Sequence, residues 1–437
     1  MSHLPADLAQ APLETADDVR RIMRFLDLQG TFYFPTLPNG LFSAAAATHD
    51  DFQHTGYDSI WVRDNVHIAY AQMVLGNELA AVRTVTALLA FQSRQRAAVD
   101  ALLDGRTDPA DPMRRPHIRF DGKTLDTLPE KWAHAQNDAL GYLIWLASQL
   151  IQRGSLVPDA DQLRTLADLV HVLRRVEYWQ DEDSGHWEET RKIEASSIGA
   201  VVAGLHEFQV VCEDDRWGEI LRGLSRPITS ELLEELVTRG ELALQEILPW
   251  ECRQPDPLQN RQYDAALLFL IDPLNIVDDD TANEIVAGVR THLMGEHGIR
   301  RYLGDSYWCA DYRTLLSAET RTTDFSDDTS SRDALLKPGE EAQWCIFDPI
   351  LSVIFGERFQ MGGAPADIEQ QRLHLRRSLS QLTPPDSPFG PYRCPESYFL
   401  ERGRFTPNDI TPLLWTQANL LRALAMMEQS LMEDEPA

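Results

Sequence analysis

Apolar residues recur three and four apart near 17–28, 65–76, 79–104, 137–152, 161–178 and 194–212. The pattern resumes near 217–223, 229–247, 263–272, 281–294, 346–356, 365–382 and 409–430. This spacing places apolar side chains on one face of a 3.6-residue helix, so it predicts about a dozen helices. Strand-like alternation is nearly absent. Long connections rich in Gly, Pro, Asp and Trp separate the helices at 29–64, 105–136, 179–193, 295–345 and 383–408. Loops of that length in a compact protein are usually functional. With no low-complexity linker and no short repeat, the pattern predicts one domain over 16–430, an extension at 1–15 and a disordered tail at 431–437. The stretch 318–340, rich in Thr, Ser and Asp, is the expected flap.

Charge narrows the partners. With 68 acidic and 40 basic residues the chain carries a formal charge of -28, which repels phosphate backbones and anionic bilayers and argues against a nucleic-acid partner. No stretch is read as the roughly 20 apolar residues of a membrane span, so no membrane partner is expected. The amino terminus lacks a basic start followed by an apolar run, and Asp17 and Asp18 come early. Cys212, Cys252, Cys309, Cys345 and Cys394 are widely spaced without a Cys-x-x-Cys, which indicates neither a zinc site nor a disulfide framework and fits a reducing cytoplasm. There is no His-x-x-x-His or His-Glu-x-x-His. Gly362-Gly363 lacks the further glycines and Lys of a phosphate loop, so no metal and no cofactor is expected.

The most informative loop is Asp183-Ser-Gly-His-Trp187-Glu188-Glu189. Hydrolysis of a glycosidic bond needs a carboxylic acid still protonated near neutral pH, and a neighbouring charge with apolar aromatic surface raises a Glu in that direction. A solvated acidic turn before a helix is the structural alternative. Tyr57-Asp-Ser-Ile-Trp61-Val-Arg63-Asp64-Asn65 combines an indole for an apolar sugar face with charges that fix hydroxyls. Asp64 as a helix cap beside a structural ion pair reads equally well. In Trp132-Ala-His134-Ala-Gln136-Asn137-Asp138 a capping role is expected for Asp138, with Trp132 and Gln136 facing a cleft. Glu396, in the proline-rich loop Arg393-Cys394-Pro395-Glu396, is either a surface carboxylate or a general base towards water. The loops at Arg300-Arg301-Tyr302-Leu-Gly-Asp305 and Glu340-Glu341-Ala-Gln-Trp344 complete the charged and aromatic set.

In this order the motifs resemble glycoside hydrolase family 15, the glucoamylases, and the related toroidal domain of the phosphorylase kinase α and β subunits, over roughly residues 57–425. Trp61-Val-Arg63-Asp64 is similar to the family's Trp-x-Arg-Asp, and Trp132 with Gln136 and Asp138 to its Trp followed by Gln-x-Asp. Trp187-Glu188-Glu189 resembles its Trp-Glu-Glu, and Pro395-Glu396 with Trp415 its general base and downstream Trp. Glu194-Ala-Ser-Ser-Ile-Gly199, Tyr263-Asp264-Ala-Ala and Arg301-Tyr-Leu-Gly-Asp305 look closer to the kinase branch. Glu341-Ala-Gln-Trp344 departs from that branch's Glu-Cys-Glu-Trp.

The resemblance implies an all-α (α/α)6 toroid and an inverting, exo-acting α-glucoside hydrolase releasing β-glucose from a small oligosaccharide. Glu188 would be the acid and Glu396 the base, with a residue near Glu341 as the other candidate base. Such a pair stands about 6.5–9.5 Å apart to admit a water. Trp61, Arg63, Asp64, Trp132, Gln136, Trp187, Glu189, Arg301 and Trp415 would hold the sugar. The kinase-like motifs allow a catalytically silent, carbohydrate-binding or regulatory protein instead.

Overall fold

The structure is a computed structural model that describes residues 8–46 and 56–434. The expected extension and tail therefore lie partly outside the described residues.

Six buried segments close into a ring. They are α2 (Val62–Val74), α5 (Asn137–Gln152), α7 (Ala195–Glu213), a 3-10 helix at Ala265–Leu270, α13 (Phe347–Gln360) and α15 (Leu414–Asp434). Each packs on the next, and α15 returns to α2. A second layer surrounds them. α3 (Glu78–Arg94) packs on α2, α6 (Ala160–Val176) on α5, α9 (Ser230–Ile247) on α7, α10 (Asp279–Gly288) on the 3-10 helix, α14 (Pro365–Ser380) on α13, and α1 (Ala16–Leu28) on α15. Six inner-outer pairs make an (α/α)6 toroid.

Composition explains which segment goes where. Helix α5 is apolar almost all round and buries nearly every side chain, as an inner helix must. Helix α6 instead buries a stripe containing Leu163, Leu166, Val170 and Leu173, and Asp159 with Gln162 caps its start reciprocally. Helix α7 is long and apolar enough to cross a membrane by length and composition, contrary to the expectation that no stretch would be, and the toroid places it at its centre. Glycines set its distance from α5. A Cβ at Gly141 would lie 2.6 Å from the Ala200 backbone, and one at Gly204 2.5 Å from the Gly141 carbonyl oxygen.

Several element boundaries differ from the periodicity. The stretch 79–104 breaks at Gln95, whose side chain accepts from His117 N at 2.7 Å, so α4 (Arg96–Leu103) is separate. Residues 281–294 end in a π turn at Val289–Leu293. The expected helix at 263–272 is a six-residue 3-10 helix, whose start Asp264 caps by accepting from Ala266 N. The fourth inner segment is therefore shorter than the other five. Short helices α8 (Asp215–Arg222), α11 (Tyr312–Leu315) and α12 (Ser330–Asp333) fill the connections.

Two small sheets pin the long loops. β1 (Ile60–Trp61) pairs with β2 (Arg119–Phe120), placing Trp61 opposite Arg119. β3 (Gln343–Trp344), β4 (Ser397–Glu401) and β5 (Arg404–Pro407) form a meander with Trp344 opposite Ser397.

Candidate active site

The inner helices α2, α5, α7, α13 and α15 all begin at one mouth of the toroid, so the residues just before or within their first turns converge there. Their amino-terminal ends also bring partial positive charge to that mouth. The loops enclose a pocket of about 800 Å3 including its open mouth, lined among others by Trp61, Arg63, Asp64, Trp132, Trp187, Glu188, Arg301, Glu396 and Trp415. Sequence positions more than 330 residues apart thus share one cavity.

Arg63 is 3% exposed and works mainly as a buried strut. Its Nε donates to Asp138 Oδ2 at 2.7 Å and its Nη2 to Gln136 Oε1 at 2.5 Å and the Gly185 carbonyl at 3.0 Å, while Nη1 reaches the His186 carbonyl at 3.2 Å. The same Nη1 stands 3.7 Å from Glu188 Oε1. Asp138 is therefore not the cap of α5. The N-cap position is Gln136, which makes no side-chain cap bond, and Asp138 neutralises Arg63 because that cation has no solvent. Gln136 lies behind the lining, held between Arg63 and the Ala133 carbonyl. Nor does Asp64 cap α2, whose N-cap position is Trp61, and the structural ion pair of Arg63 is with Asp138. Asp64 faces the pocket, and burial, opposed by Arg63, moves its carboxyl up to about 7.

The adjacent glutamates are driven apart. Glu188 has φ of 57°, a left-handed backbone uncommon outside glycine, and it turns into the pocket while Glu189 turns away. Burial raises the Glu188 carboxyl above its ordinary value, partly offset by Arg63 and a Gln136 hydrogen bond. Glu189 feels the same burial, but Arg301, Arg332 and Arg261 outweigh it and hold the carboxyl well below the usual range. Glu189 accepts from Arg301 at 3.0 Å, from Arg332 at 2.6 Å and from the Tyr302 hydroxyl, and it lies behind the pocket lining. It fixes Arg301, which also donates twice to Asp305 at 2.7 and 2.6 Å and lies within 5.1 Å of the ring centroids of Trp187, Trp344 and Tyr307.

Across the pocket Glu396 is 1% exposed. Its main chain is fixed by Cys345 N donating to its carbonyl at 2.9 Å and by its own N donating to Ile410 O at 3.0 Å. Its carboxylate accepts from the Tyr57 hydroxyl at 2.9 Å and from Asn408 Nδ2 at 2.5 Å. Burial still moves it up to about 8 against those donors. Glu341 lies outside the lining, accepting from Gly304 N at 3.0 Å and facing Arg300 Nε at 3.4 Å.

Aromatic walls complete the cavity. Trp61 and Trp132 meet edge to face at 6.0 Å, and Trp415 stacks on His67 at 4.3 Å. From the expected flap, Thr322, Thr323, Asp324 and Phe325 line the same space. The residue-by-residue reading missed Tyr57, Tyr307, Asn408 and Arg332. Tyr57 stood inside a quoted motif, whereas Arg332 and Asn408 carry no local pattern and are recruited only by the fold.

A helical toroid gathering carboxyl groups, arginines and indoles at one mouth has the frame of a six-hairpin glycosidase. The sequence model of Glycosyl hydrolases family 15 matches residues 32–245, in agreement with the resemblance that the motifs carry. Among solved structures, a glycosidase variant in complex with glucose superposes with a TM-score of 0.64 at 19% identity, covering 94% of this chain and 96% of that one. A glucoamylase from Saccharomycopsis fibuligera gives 0.60 at 12% identity over 98% and 99%. At such identities these likenesses carry the fold. A probable phosphorylase b kinase regulatory subunit alpha from Caenorhabditis elegans is 27% identical over 277 residues, 56% of this chain but 21% of that subunit's length.

Proposed function

We propose that this protein is an inverting, exo-acting glycoside hydrolase that releases β-glucose from short α-linked gluco-oligosaccharides. The observation that carries the reading is the placement of Glu188 and Glu396 in one pocket, each held by separate partners. Glu188, raised by burial, gives its proton to the glycosidic oxygen as the bond to the anomeric carbon breaks. Glu396 takes a proton from a water that attacks that carbon from the opposite face, and the new hemiacetal has inverted configuration. Asp64 accepts from the hydroxyls of the terminal sugar and Arg301 donates to them. Trp61, Trp132 and Trp187 cover its apolar faces. The residues of the expected flap, Thr322 to Phe325, wall one side of the pocket, which suits a chain end better than the middle of a long glucan.

Incubation with maltose, isomaltose, nigerose and trehalose, followed by NMR of the anomeric protons, tests the reading. β-Glucose as the first product is expected. An α-anomer as first product would overturn the inverting mechanism. Oligosaccharide binding with no turnover, unaffected by removal of Glu188 or Glu396, would support the silent alternative, which the kinase-subunit relative favours.

A further inference from the structure

Next to the sugar pocket, Trp187 is anchored by a buried ionic cluster that takes no part in the chemistry above. Its Nε1 donates to both oxygens of Asp264, at 3.0 and 3.1 Å. Asp264 is wholly buried, and Arg261 Nη1 meets its Oδ2 at 2.9 Å. The Arg261 guanidinium carbon lies 3.5 Å from the centroid of Tyr302, whose hydroxyl donates to Glu189. Arg261 itself stands 3.6 Å from Glu189 and 3.9 Å from Glu194. Neither Arg261 nor Asp264 lines the catalytic pocket.

This placement has a mechanical meaning. Trp187 precedes Glu188, whose left-handed backbone depends on its neighbours to hold it. The Trp187 indole forms the wall of the pocket next to Arg301 and Trp344, and its N–H is the handle by which the protein sets its rotation. A carboxylate without solvent accepts strongly from that N–H, but it persists as a carboxylate only while a cation stands beside it. Asp264 holds the ring, and Arg261 opposes the burial that raises the Asp264 carboxyl above its ordinary value. The backbone repeats the link, since Asp264 bridges to Tyr302 and Ala265 N donates to the Arg301 carbonyl at 2.8 Å.

We propose that Asp264 and Arg261 are positioning residues of the sugar pocket, which act through Trp187 to set affinity for the terminal sugar and the aim of Glu188. The inference rests on the glycosidase reading. Its test is a cycle of Asp264→Ala, Asp264→Asn, Trp187→Phe and the double variant Asp264→Ala/Trp187→Phe, comparing KM, kcat and tryptophan fluorescence on the best substrate of the panel. Asp264→Ala is expected to raise KM about tenfold with a smaller fall in kcat and to shift the emission. Asp264→Asn retains an acceptor for the indole and is expected to restore most of the KM. In the Trp187→Phe background the effect of Asp264→Ala on KM is expected to vanish, because the N–H is gone.

A wild-type KM in folded Asp264→Ala, or an equal effect with and without the indole N–H, would overturn the proposal. Should Asp264→Ala fail to fold, Arg261→Gln, which removes the cation beside Asp264, is measured alone and combined with Trp187→Phe: a KM raised only where the indole N–H is present supports the proposal, and an equal effect in both backgrounds overturns it. Absence of turnover by the wild type counts against the glycosidase reading alone, and the cycle is then read on the dissociation constant of maltose. If maltose does not bind either, this proposal falls as well.

Discussion

The Tyr57 hydroxyl donates to Glu396 Oε1 at 2.9 Å while standing 3.0 Å from the hydroxyl of Tyr307, so the proposed base is tied to the loop before β1 and to the loop after Arg301. A hydrogen bond to a carboxylate favours its charged form. Without it, the Glu396 carboxyl moves up from about 8. A base must be ionised, so activity rises as pH climbs through that value. Tyr57→Phe is expected to shift this acidic limb of the kcat/KM profile to higher pH and to lower the rate at pH 7 about tenfold. An unmoved limb would separate Glu396 from the profile.

The two carboxylates should fail differently. Glu188→Gln and Glu396→Gln are each expected to lower kcat on maltose by about 10²–10⁴. With α-glucosyl fluoride, whose leaving group needs little protonation, Glu188→Gln should recover much of its activity and Glu396→Gln should not. Added azide should restore Glu396→Gln through a β-glucosyl azide. Recovery in the reverse order would exchange the two roles.

Arg63→Ala leaves Asp138 buried without its cation and frees the carbonyls of Gly185 and His186. Breaking a buried pair costs about 3–5 kcal/mol, so thermal unfolding should occur well below the wild-type temperature. Arg63→Lys should recover little of this, since one ammonium cannot reproduce the fork. A wild-type Tm in Arg63→Ala would refute the strut role.

Stability should also record the raised carboxyls. Glu396 and Asp64 reach about 8 and about 7 in the folded protein, above their ordinary values of 4.5 and 3.8. Groups raised by folding stabilise fully below the unfolded value, and that stabilisation is lost as pH rises through the folded one. Between about pH 5 and pH 8 the Tm of Glu396→Gln should therefore fall less steeply than that of the wild type. Parallel Tm curves would show that Glu396 titrates at its ordinary value.

Gly141→Ala tests the fold itself. Its new methyl carbon would enter the Ala200 backbone at 2.6 Å, and the α5–α7 contact would have to open. Overpacking of this kind costs about 1–3 kcal/mol or more, visible as a lowered urea midpoint. An unchanged midpoint would mean that the two helices slide apart freely.

Much of this molecule is legible along the chain. The apolar spacing of 137–152 and 161–178 gives α5 and α6 because helix periodicity is local, and the cap at Asp159 is local too. The ordered motifs around Trp61, Trp132, Trp187 and Glu396 are likewise written in the sequence, with the kinship they imply. Less was legible where partners are distant. Asp138 reads as a cap from its neighbours, but in the fold it faces Arg63 from a different helix start. Glu189 reads as a sugar contact, whereas it is enclosed by Arg301, Arg332 and Tyr302, more than 110 positions away.

The sequence by itself determined most of the helices, the net negative charge and the set of carboxylates available for chemistry, because those depend on residue type and near neighbours. Only the tertiary structure decided which carboxyl is raised by burial and which is held as a counter-ion. Burial and arginine neighbours set a carboxyl's charge, and both are supplied by segments far away along the chain.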